Sequence, residues 1–127
     1  MAFAHFTLAT RDIEGTSRFF ANTFGWRPIN RPSNAPLPTA WLEIAPGQEI
    51  HLVEVRDFEP SPFEREYGRH IALSYPREGF AALQERLRQH GAQLIASDRP
   101  TPFERFFFRD PNGYIFEVVD AARKPEK

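Results

Sequence analysis

The sequence contains no cysteine. This absence excludes disulfide bonds, zinc–thiolate sites and thiol nucleophiles, so any metal bound by the protein must be held by histidine and carboxylate side chains. Long apolar runs are absent too, since none approaches the roughly 18 residues that a membrane-spanning helix requires. The first residues show no basic region followed by an apolar one, as a secretory leader would. We therefore expect a soluble, cytoplasmic protein.

Neither sign of charge is in excess, because 16 Lys and Arg residues stand against 17 Asp and Glu residues, for a net charge of −1. A balanced surface supplies no broad attractive field for nucleic acid or an anionic membrane, so we expect a small-molecule substrate bound at a defined site. Apolar residues, in contrast, are plentiful: 41% of the 127 residues are hydrophobic and 13 are Phe. This length and composition predict one packed domain, residues 1–127.

The chain repeats itself at about half its length. Each copy opens with a histidine-led strand pattern, followed by an amphipathic helix that a glycine closes, from His5 to Gly25 and from His70 to Gly91. Three further runs of strand character follow each helix. The sequence thus predicts an α+β protein of two βαβββ modules. The predicted parts are a first module at 1–55, a linker at 56–69, a second module at 70–120 and a polar tail at 121–127.

Local signals predict the individual elements. Asp12 is placed to cap the first helix, and the turn Asp110-Pro111-Asn112-Gly113 predicts a hairpin before the last strand. The predicted strands are Phe3 to Ala9, Trp26 to Asn30, Thr39 to Ile44, Glu49 to Val55, Arg69 to Tyr75, Ala92 to Ser97, Phe103 to Arg109 and Tyr114 to Val119.

Four residues stand at equivalent places in the two modules. His51 follows His5 by 46 residues, and Glu117 follows His70 by 47, so each pair joins the first and last strands of its module. If a pseudo-two-fold axis relates the modules, all four residues converge. His5, His70 and Glu117 would then form an open triad of two histidines and one carboxylate, with His51 as a fourth ligand. Such donors suit Fe, Mn, Ni, Co or Zn as divalent ions.

Alternation along the strands tests this interpretation. His5 shares its strand face with Thr7 and Ala9, which are small, while the larger neighbours lie on the opposite face. Small side chains leave volume for a ligand, as a cavity wall requires. A single strand histidine is more often a hydrogen-bonded core or surface residue than a ligand, and Glu117 could face solvent. The repeat-related positions and matched parity favour metal binding.

Other side chains are candidates for substrate contact or proton transfer. Arg105 shares its strand face with Phe107 and is suited to bind an anionic group of a substrate in bidentate fashion, or it is a strand-end arginine in water. Trp41 is a candidate cavity wall. Glu49 is in phase with His51, so it could orient a ligand or act as a base.

Three segments resemble the vicinal oxygen chelate superfamily, which includes glyoxalase I, bleomycin- and fosfomycin-resistance proteins and extradiol dioxygenases. They are HFTLATRDIEGTSRFFANTFGW, GRHIALSY and FFFRDPNGYIFEVVD, and the resemblance runs from about His5 to Val119. It implies two βαβββ modules that form a curved eight-stranded cleft, with metal ligands on the first and last strands of each. Carried over, the implied ligands are His5, His51, His70 and Glu117.

The segment AWLEI resembles its counterpart in fosfomycin-resistance enzymes, which implies that Trp41 and Phe107 line the substrate pocket. We therefore expect a metal-dependent lyase or isomerase, thiol transferase or dioxygenase that holds two vicinal oxygens of a small substrate. Glu117 is the first candidate proton acceptor and Glu49 the second. Whether glutathione or oxygen is a co-substrate stays open.

Two alternatives remain. A binding protein of the bleomycin-resistance type would sequester a ligand without chemistry, although such proteins generally lack the metal ligands. A cupin-like barrel also uses three His and one Glu, but the chain has no H-x-H pair.

We also expect a homodimer. Each open four-stranded module has exposed edges and a single helix, which leaves apolar surface uncovered. The resemblance implies that modules pair within one chain or across two, and the linker is long enough for either.

Overall fold

The computed structural model describes residues 3–124, and the chain divides into two compact units, Met1–Phe58 and Glu59–Lys127. Each unit has the order βαβββ, so the predicted α+β class with two such modules is confirmed. The first unit comprises β1 (His5–Thr10), α1 (Ile13–Phe24), β2 (Arg27–Ile29), β3 (Thr39–Ala45) and β4 (Gln48–Glu54). The second comprises β5 (Ile71–Tyr75), α2 (Phe80–Gln89), β6 (Gln93–Ile95), β7 (Arg105–Arg109) and β8 (Ile115–Asp120).

The two sheets share one topology. The strand order is β1-β4-β3-β2 in the first and β5-β8-β7-β6 in the second. In each sheet the strands that come first and last along the chain, β1 with β4 and β5 with β8, are parallel neighbours. The other neighbouring pairs are antiparallel. A parallel pair needs a long crossover, and here the helix and two further strands supply it. The topology therefore places the first strand of each unit directly beside its last, as the repeat predicted.

The first helix is specified by its ends and by one buried face. The Asp12 carboxylate accepts a hydrogen bond from the Gly15 backbone N–H at 3.0 Å, which satisfies one of the free donors of the first turn. Gly25 ends the helix at φ +75°, a conformation that glycine adopts without a steric penalty. Between them, Phe19 and Phe20 are buried, and the helix packs against β3 and β4.

The second unit buries a larger aromatic core. A 3₁₀ turn at Arg77–Gly79 precedes α2, whose Phe80, Leu83 and Leu87 are buried at helical spacing. Phe108 and Phe116, on neighbouring strands, stack with ring centroids 5.2 Å apart and are fully buried.

In the part of the chain that the structure describes, residues 3–124, neither helix has the length and hydrophobicity of a membrane-spanning segment.

Three predicted strands begin two residues later in the structure. The strand predicted from Phe3 begins at His5. The strand predicted from Arg69 begins at Ile71, because the Arg69 backbone N–H donates to the Phe63 carbonyl at 2.7 Å and is held by the preceding segment. His70 therefore lies just before β5. The strand predicted from Phe103 begins at Arg105, since the Thr101 hydroxyl donates to the Phe103 carbonyl in a turn.

The segment predicted as a linker is partly built into the second unit. Glu64 is 5% exposed, and its carboxylate accepts hydrogen bonds from the Ile115 backbone N–H at 2.9 Å and from Arg69 Nη1 at 2.7 Å. A buried carboxylate is stable only when it is paired in this way. Glu64 thus ties the chain before His70 to the start of β8.

The turn before β8 is organised by a buried carboxyl group. Asp110 Oδ1 accepts hydrogen bonds from the backbone N–H groups of Tyr114 at 2.8 Å and Asn112 at 3.0 Å. Burial raises the pKa of Asp110 to about 6, against the opposing effect of these hydrogen bonds. Gly113, at φ +100°, reverses the chain beside Pro60.

This raised pKa predicts a specific pH dependence of stability. A carboxyl group that holds its proton more tightly in the folded state stabilises the fold fully below pH 3.8 and loses that contribution as the pH rises through about 6. Between pH 3.5 and 7, the wild-type free energy of unfolding should fall relative to that of Asp110→Asn by roughly 3 kcal/mol. Urea unfolding of both proteins across this range measures the difference, and parallel curves would contradict the prediction.

Candidate functional site

The second unit collects its predicted site residues on one sheet face. In the register of the sheet, Glu117 on β8 lies beside Ala72 on β5 and Phe107 on β7. Because neighbouring residues in register point to the same face, these three share one face. The adjacent positions, Phe116 and Val118, form the buried core face with α2. The small Ala72 leaves room beside the carboxylate.

His70 and Glu117 lie close together there. His70 Nε2 is 3.2 Å from Glu117 Oε1, and the two side chains are 23% and 9% exposed. The His70 ring meets the Phe107 ring edge-on, with centroids 5.4 Å apart. Its other nitrogen, Nδ1, is buried and has no hydrogen-bond partner among residues 3–124.

Arg105 also contacts Glu117. Its hydrogen-bond donors are taken by protein groups, so they are not free to bind a substrate anion as the sequence interpretation expected. Its guanidinium lies over the Phe107 ring, 5.1 Å from the centroid, and its side chain is 6% exposed. Four protein groups accept hydrogen bonds from it: Glu117 Oε2 at 3.0 Å, Glu66 Oε2 at 3.1 Å, Ser97 Oγ at 2.7 Å and the Arg99 carbonyl at 2.6 Å. Only Nε is without a partner in the described chain.

Glu66 is a site residue that the sequence interpretation missed. Besides Arg105, its carboxylate accepts the backbone N–H groups of Asp98 at 2.7 Å and Arg99 at 3.2 Å. Burial alone raises the pKa of the Glu66 carboxyl, but the Asp98 hydrogen bond and the charge of Arg105 outweigh it, so the pKa lies below its ordinary value. No sequence signal marked Glu66, because it lies outside both repeats in the predicted linker.

These side chains border a cavity of about 360 Å³ within the second unit. Its volume is in the range of small-molecule sites, and its wall combines aromatic, carboxylate, imidazole and guanidinium groups. The lining residues are Glu66, Tyr67, His70, Ala72, Arg99, Phe103, Arg105, Glu117, Val119 and Arg123.

The first unit arranges its own candidates on the equivalent face. On β4, His51 lies beside Thr7 of β1 and Trp41 of β3, and Glu49 lies beside His5. The His51 ring is sandwiched: its centroid is 3.8 Å from that of His5 and 3.7 Å from that of Trp41, at interplanar angles of 15° and 3°. One face of the Trp41 ring therefore packs against the His51 imidazole.

The stack constrains which nitrogens can bind a metal. His51 Nε2 lies 2.8 Å from Glu49 Oε1, so Glu49 orients this ring. A histidine lone pair lies in the ring plane, and two ring planes that are tilted by only 15° in a stack with centroids 3.8 Å apart do not meet near either ring. In this conformation, His5 and His51 therefore cannot both bind the same ion. One of these two rings must turn before both can bind one ion.

The donor pair of the second unit fits a metal ion. With metal–ligand distances of about 2.1 Å, neighbouring donors are about 3.0 Å apart in an octahedral site and about 3.4 Å apart in a tetrahedral one. The 3.2 Å between His70 Nε2 and Glu117 Oε1 lies between these values. Neither unit by itself, over residues 3–124, contains three His, Asp or Glu side chains placed to hold an ion.

Comparisons with known proteins agree with this architecture. The model of the Glyoxalase/Bleomycin resistance protein/Dioxygenase superfamily matches residues 2–118. A curated relative from Arabidopsis thaliana, Glyoxylase I 4, is 22% identical over 95% of this chain and 71% of its own length.

Solved structures of fosfomycin-resistance proteins have the same fold. FosX from Listeria monocytogenes, in a monoclinic form, is 26% identical with a TM-score of 0.78, covering 96% of this chain and 91% of its own. FosX from Mesorhizobium loti is 21% identical with a TM-score of 0.74, covering 96% of this chain and 92% of its own. The chain therefore belongs to the glyoxalase, bleomycin resistance and dioxygenase superfamily, the vicinal oxygen chelate family that its motifs indicated.

Proposed function

We propose that the protein is a divalent-metal-dependent enzyme that acts on a small substrate through two vicinal oxygens. The observation that carries the proposal is the His70–Glu117 donor pair, 3.2 Å apart at the wall of a 360 Å³ cavity. The proposed core ligands are His5, His70 and Glu117, with His51 as a fourth ligand that binds only after a ring leaves the stack.

The charge balance of the second unit supports a bound cation. Glu66, Arg105 and Glu117 form one hydrogen-bonded chain of two carboxylates and one guanidinium, with side chains at most 10% exposed. Within these three side chains the carboxylates outnumber the guanidinium by one, and a buried carboxylate is stabilised by pairing with a neighbouring cation. A divalent ion beside His70 provides that pairing.

A bound metal of this kind supplies a Lewis acid that stabilises an oxyanion or enediolate. The protein's own residues position the substrate and move the proton. We propose that Trp41 contacts the apolar part of the substrate. Phe107 is 1% exposed beneath Arg105 and His70, so it supports the cavity wall from behind. Arg105 Nε is buried in this conformation, and we propose that it donates to a substrate oxygen only after the guanidinium moves. Both Glu117 oxygens are engaged, so Glu49, whose side chain is 34% exposed, is the more accessible proton acceptor.

The relatives indicate which reactions to test first. One is a glyoxylase I homologue, and a FosX variant from Listeria monocytogenes is bound to Mn(II) and 1S,2S-dihydroxypropylphosphonic acid. Lyase or isomerase chemistry, and opening of an epoxide by water or a thiol, are therefore the first reactions to test here. Among Fe, Mn, Ni, Co and Zn, Mn is the first metal to test.

Removing a proposed ligand should weaken metal binding strongly. We expect His70→Ala and Glu117→Ala each to weaken binding of Mn(II) or Co(II) at least about 100-fold, because each loses a charged or imidazole donor of an open site. Isothermal titration and elemental analysis of the purified proteins measure the affinity and occupancy. Stoichiometric metal in both variants would reject the site.

Two further variants sharpen this experiment. His90→Ala removes a histidine at the end of α2, outside the site, and should bind metal as the wild type does. His51→Ala should weaken binding less than His5→Ala does, because His51 is held in the stack by Glu49 and Trp41. An equal loss in both would mean that all four ligands bind the ion together.

Turnover should require the metal. We expect the metal-loaded protein to convert at least one of two probes, the methylglyoxal–glutathione hemithioacetal or fosfomycin with water or a thiol. Chelation should abolish the activity and added metal should restore it, while Glu117→Ala should lower kcat at least about 100-fold. Oxygen consumption with catechols tests the dioxygenase alternative. Tight binding of a ligand with no turnover under any metal would favour the binding-protein alternative.

We further propose that the protein is a homodimer. Each sheet ends in two edge strands, and the large side chains of Phe3, Leu37 and Phe63 are 55%, 49% and 59% exposed. Unpaired edges and exposed apolar side chains favour association with a second copy.

Light scattering at micromolar concentration should give twice the 14.7 kDa mass of the chain. Mixing His5→Ala with Glu117→Ala chains then tests how the ligands are shared. Recovery of metal binding upon subunit exchange would mean that one site takes ligands from two chains, while no recovery would mean that each site lies within one chain. A monomeric mass would contradict the dimer.

A further inference from the structure

We propose that Glu66, acting through Arg105, is a positioning residue for Glu117 that keeps one carboxylate oxygen of Glu117 available to a metal. This inference rests on the proposed metal site. It adds a residue from the predicted linker, residues 56–69, which we call the connecting segment. Neither the motifs nor the repeat had marked this residue.

The first support is the way in which the two oxygens of Glu117 are divided. Oε2 accepts a hydrogen bond from Arg105 Nη1 at 3.0 Å, while Oε1 lies 3.2 Å from His70 Nε2. Arginine and carboxylate groups often pair through two parallel hydrogen bonds, which would engage both oxygens. Here the pairing uses one oxygen, and the other stays with the histidine.

The second support is the position of the remaining Arg105 donors. Nη2 is directed to Glu66 Oε2 at 3.1 Å, Ser97 Oγ at 2.7 Å and the Arg99 carbonyl at 2.6 Å. These partners hold the guanidinium in one orientation. Nη2 therefore cannot turn to form a second hydrogen bond with Glu117. Glu66 is the only charged acceptor among the three, and hydrogen bonds to charged groups are the stronger kind.

The third support is that Glu66 is itself held in place. It accepts the backbone N–H groups of Asp98 and Arg99, and its side chain is 10% exposed. The connecting segment, the loop after β6 and the last strand therefore meet at Arg105. A carboxylate fixed by two backbone donors acts as a rigid anchor for a guanidinium, as outer-shell partners do for metal ligands.

The charges give this arrangement its effect. With Glu66 in place, the Arg105 charge is shared between two carboxylates, so Glu117 keeps much of its attraction for a cation. Without the Glu66 charge, Arg105 would pair with Glu117 alone and compete with the metal for it.

The test is a double-mutant cycle on metal affinity, with Mn(II) and Co(II) as probes. Glu66→Gln should weaken binding about 10- to 100-fold, the range for outer-shell changes, and should alter the visible absorption of the Co(II) protein. In an Arg105→Gln background, the same substitution should change affinity less than about threefold, because its intermediary is gone. Equal effects of Glu66→Gln in both backgrounds would overturn the inference.

Controls separate this role from a structural one. Glu59→Gln makes the same charge change at an exposed position of the connecting segment and should bind metal as the wild type does. Glu66→Asp keeps the charge and should recover part of the affinity. If Glu66→Gln does not fold, Glu66→Asp tests the contact by its length instead: its shorter side chain lies farther from Arg105, so it should weaken binding by a smaller factor that disappears in the Arg105→Gln background. Thermal unfolding of the metal-free proteins should show each variant folded under the titration conditions.

The outcomes also separate this inference from the proposed function. If the wild type binds neither ion, the metal site itself is rejected. If the wild type binds and His70→Ala does not, while Glu66→Gln binds as tightly as the wild type, the site stands and the role of Glu66 is rejected.

Discussion

The parallel pairing of the first and last strand of each unit is the constraint on which the candidate site depends. It places Glu49 and His51 beside β1 in one unit, and Glu117 beside Ala72 of β5 in the other. Alternation along the strands then separates two faces, one filled by large apolar side chains under a helix and one bearing the polar candidates. A shift of either pairing by one residue would bury these polar groups in the core.

In the second unit, one arginine stabilises two buried carboxylates. Glu117 and Glu66 are both shielded from water, and Arg105 donates hydrogen bonds to both. Such a chain is stabilising only while each member keeps its partners, because a single buried carboxylate without a counter-charge is strongly unfavourable. The sequence predicted that Arg105 binds a substrate anion. In the structure its donors are instead bound to the protein's own carboxylates, so few remain for a substrate.

The first unit uses aromatic packing instead of charge. His51 lies between the rings of His5 and Trp41, and Glu49 orients it. This stack accounts for the close approach of four candidates on one face. It also explains why equal roles for His5 and His51 require a ring to move, whereas His70 and Glu117 already have a separation suited to a common ion.

Strand parity, helix caps and the internal repeat were enough to predict the α+β class, the two βαβββ modules and the clustering of His70 with Glu117, because these features depend on local periodicity and chain topology. The Asp110 turn was predicted for the same reason. The first residues of β5 and β7 were not predicted, because hydrogen bonds in the segments just before them, Arg69 to Phe63 and Thr101 to Phe103, decided where each strand begins. The roles of Arg105 and Glu66 depend on long-range pairing of buried charges between the connecting segment, a loop and a strand, and no periodic pattern in the sequence encodes such pairing. Only the tertiary structure brought them together.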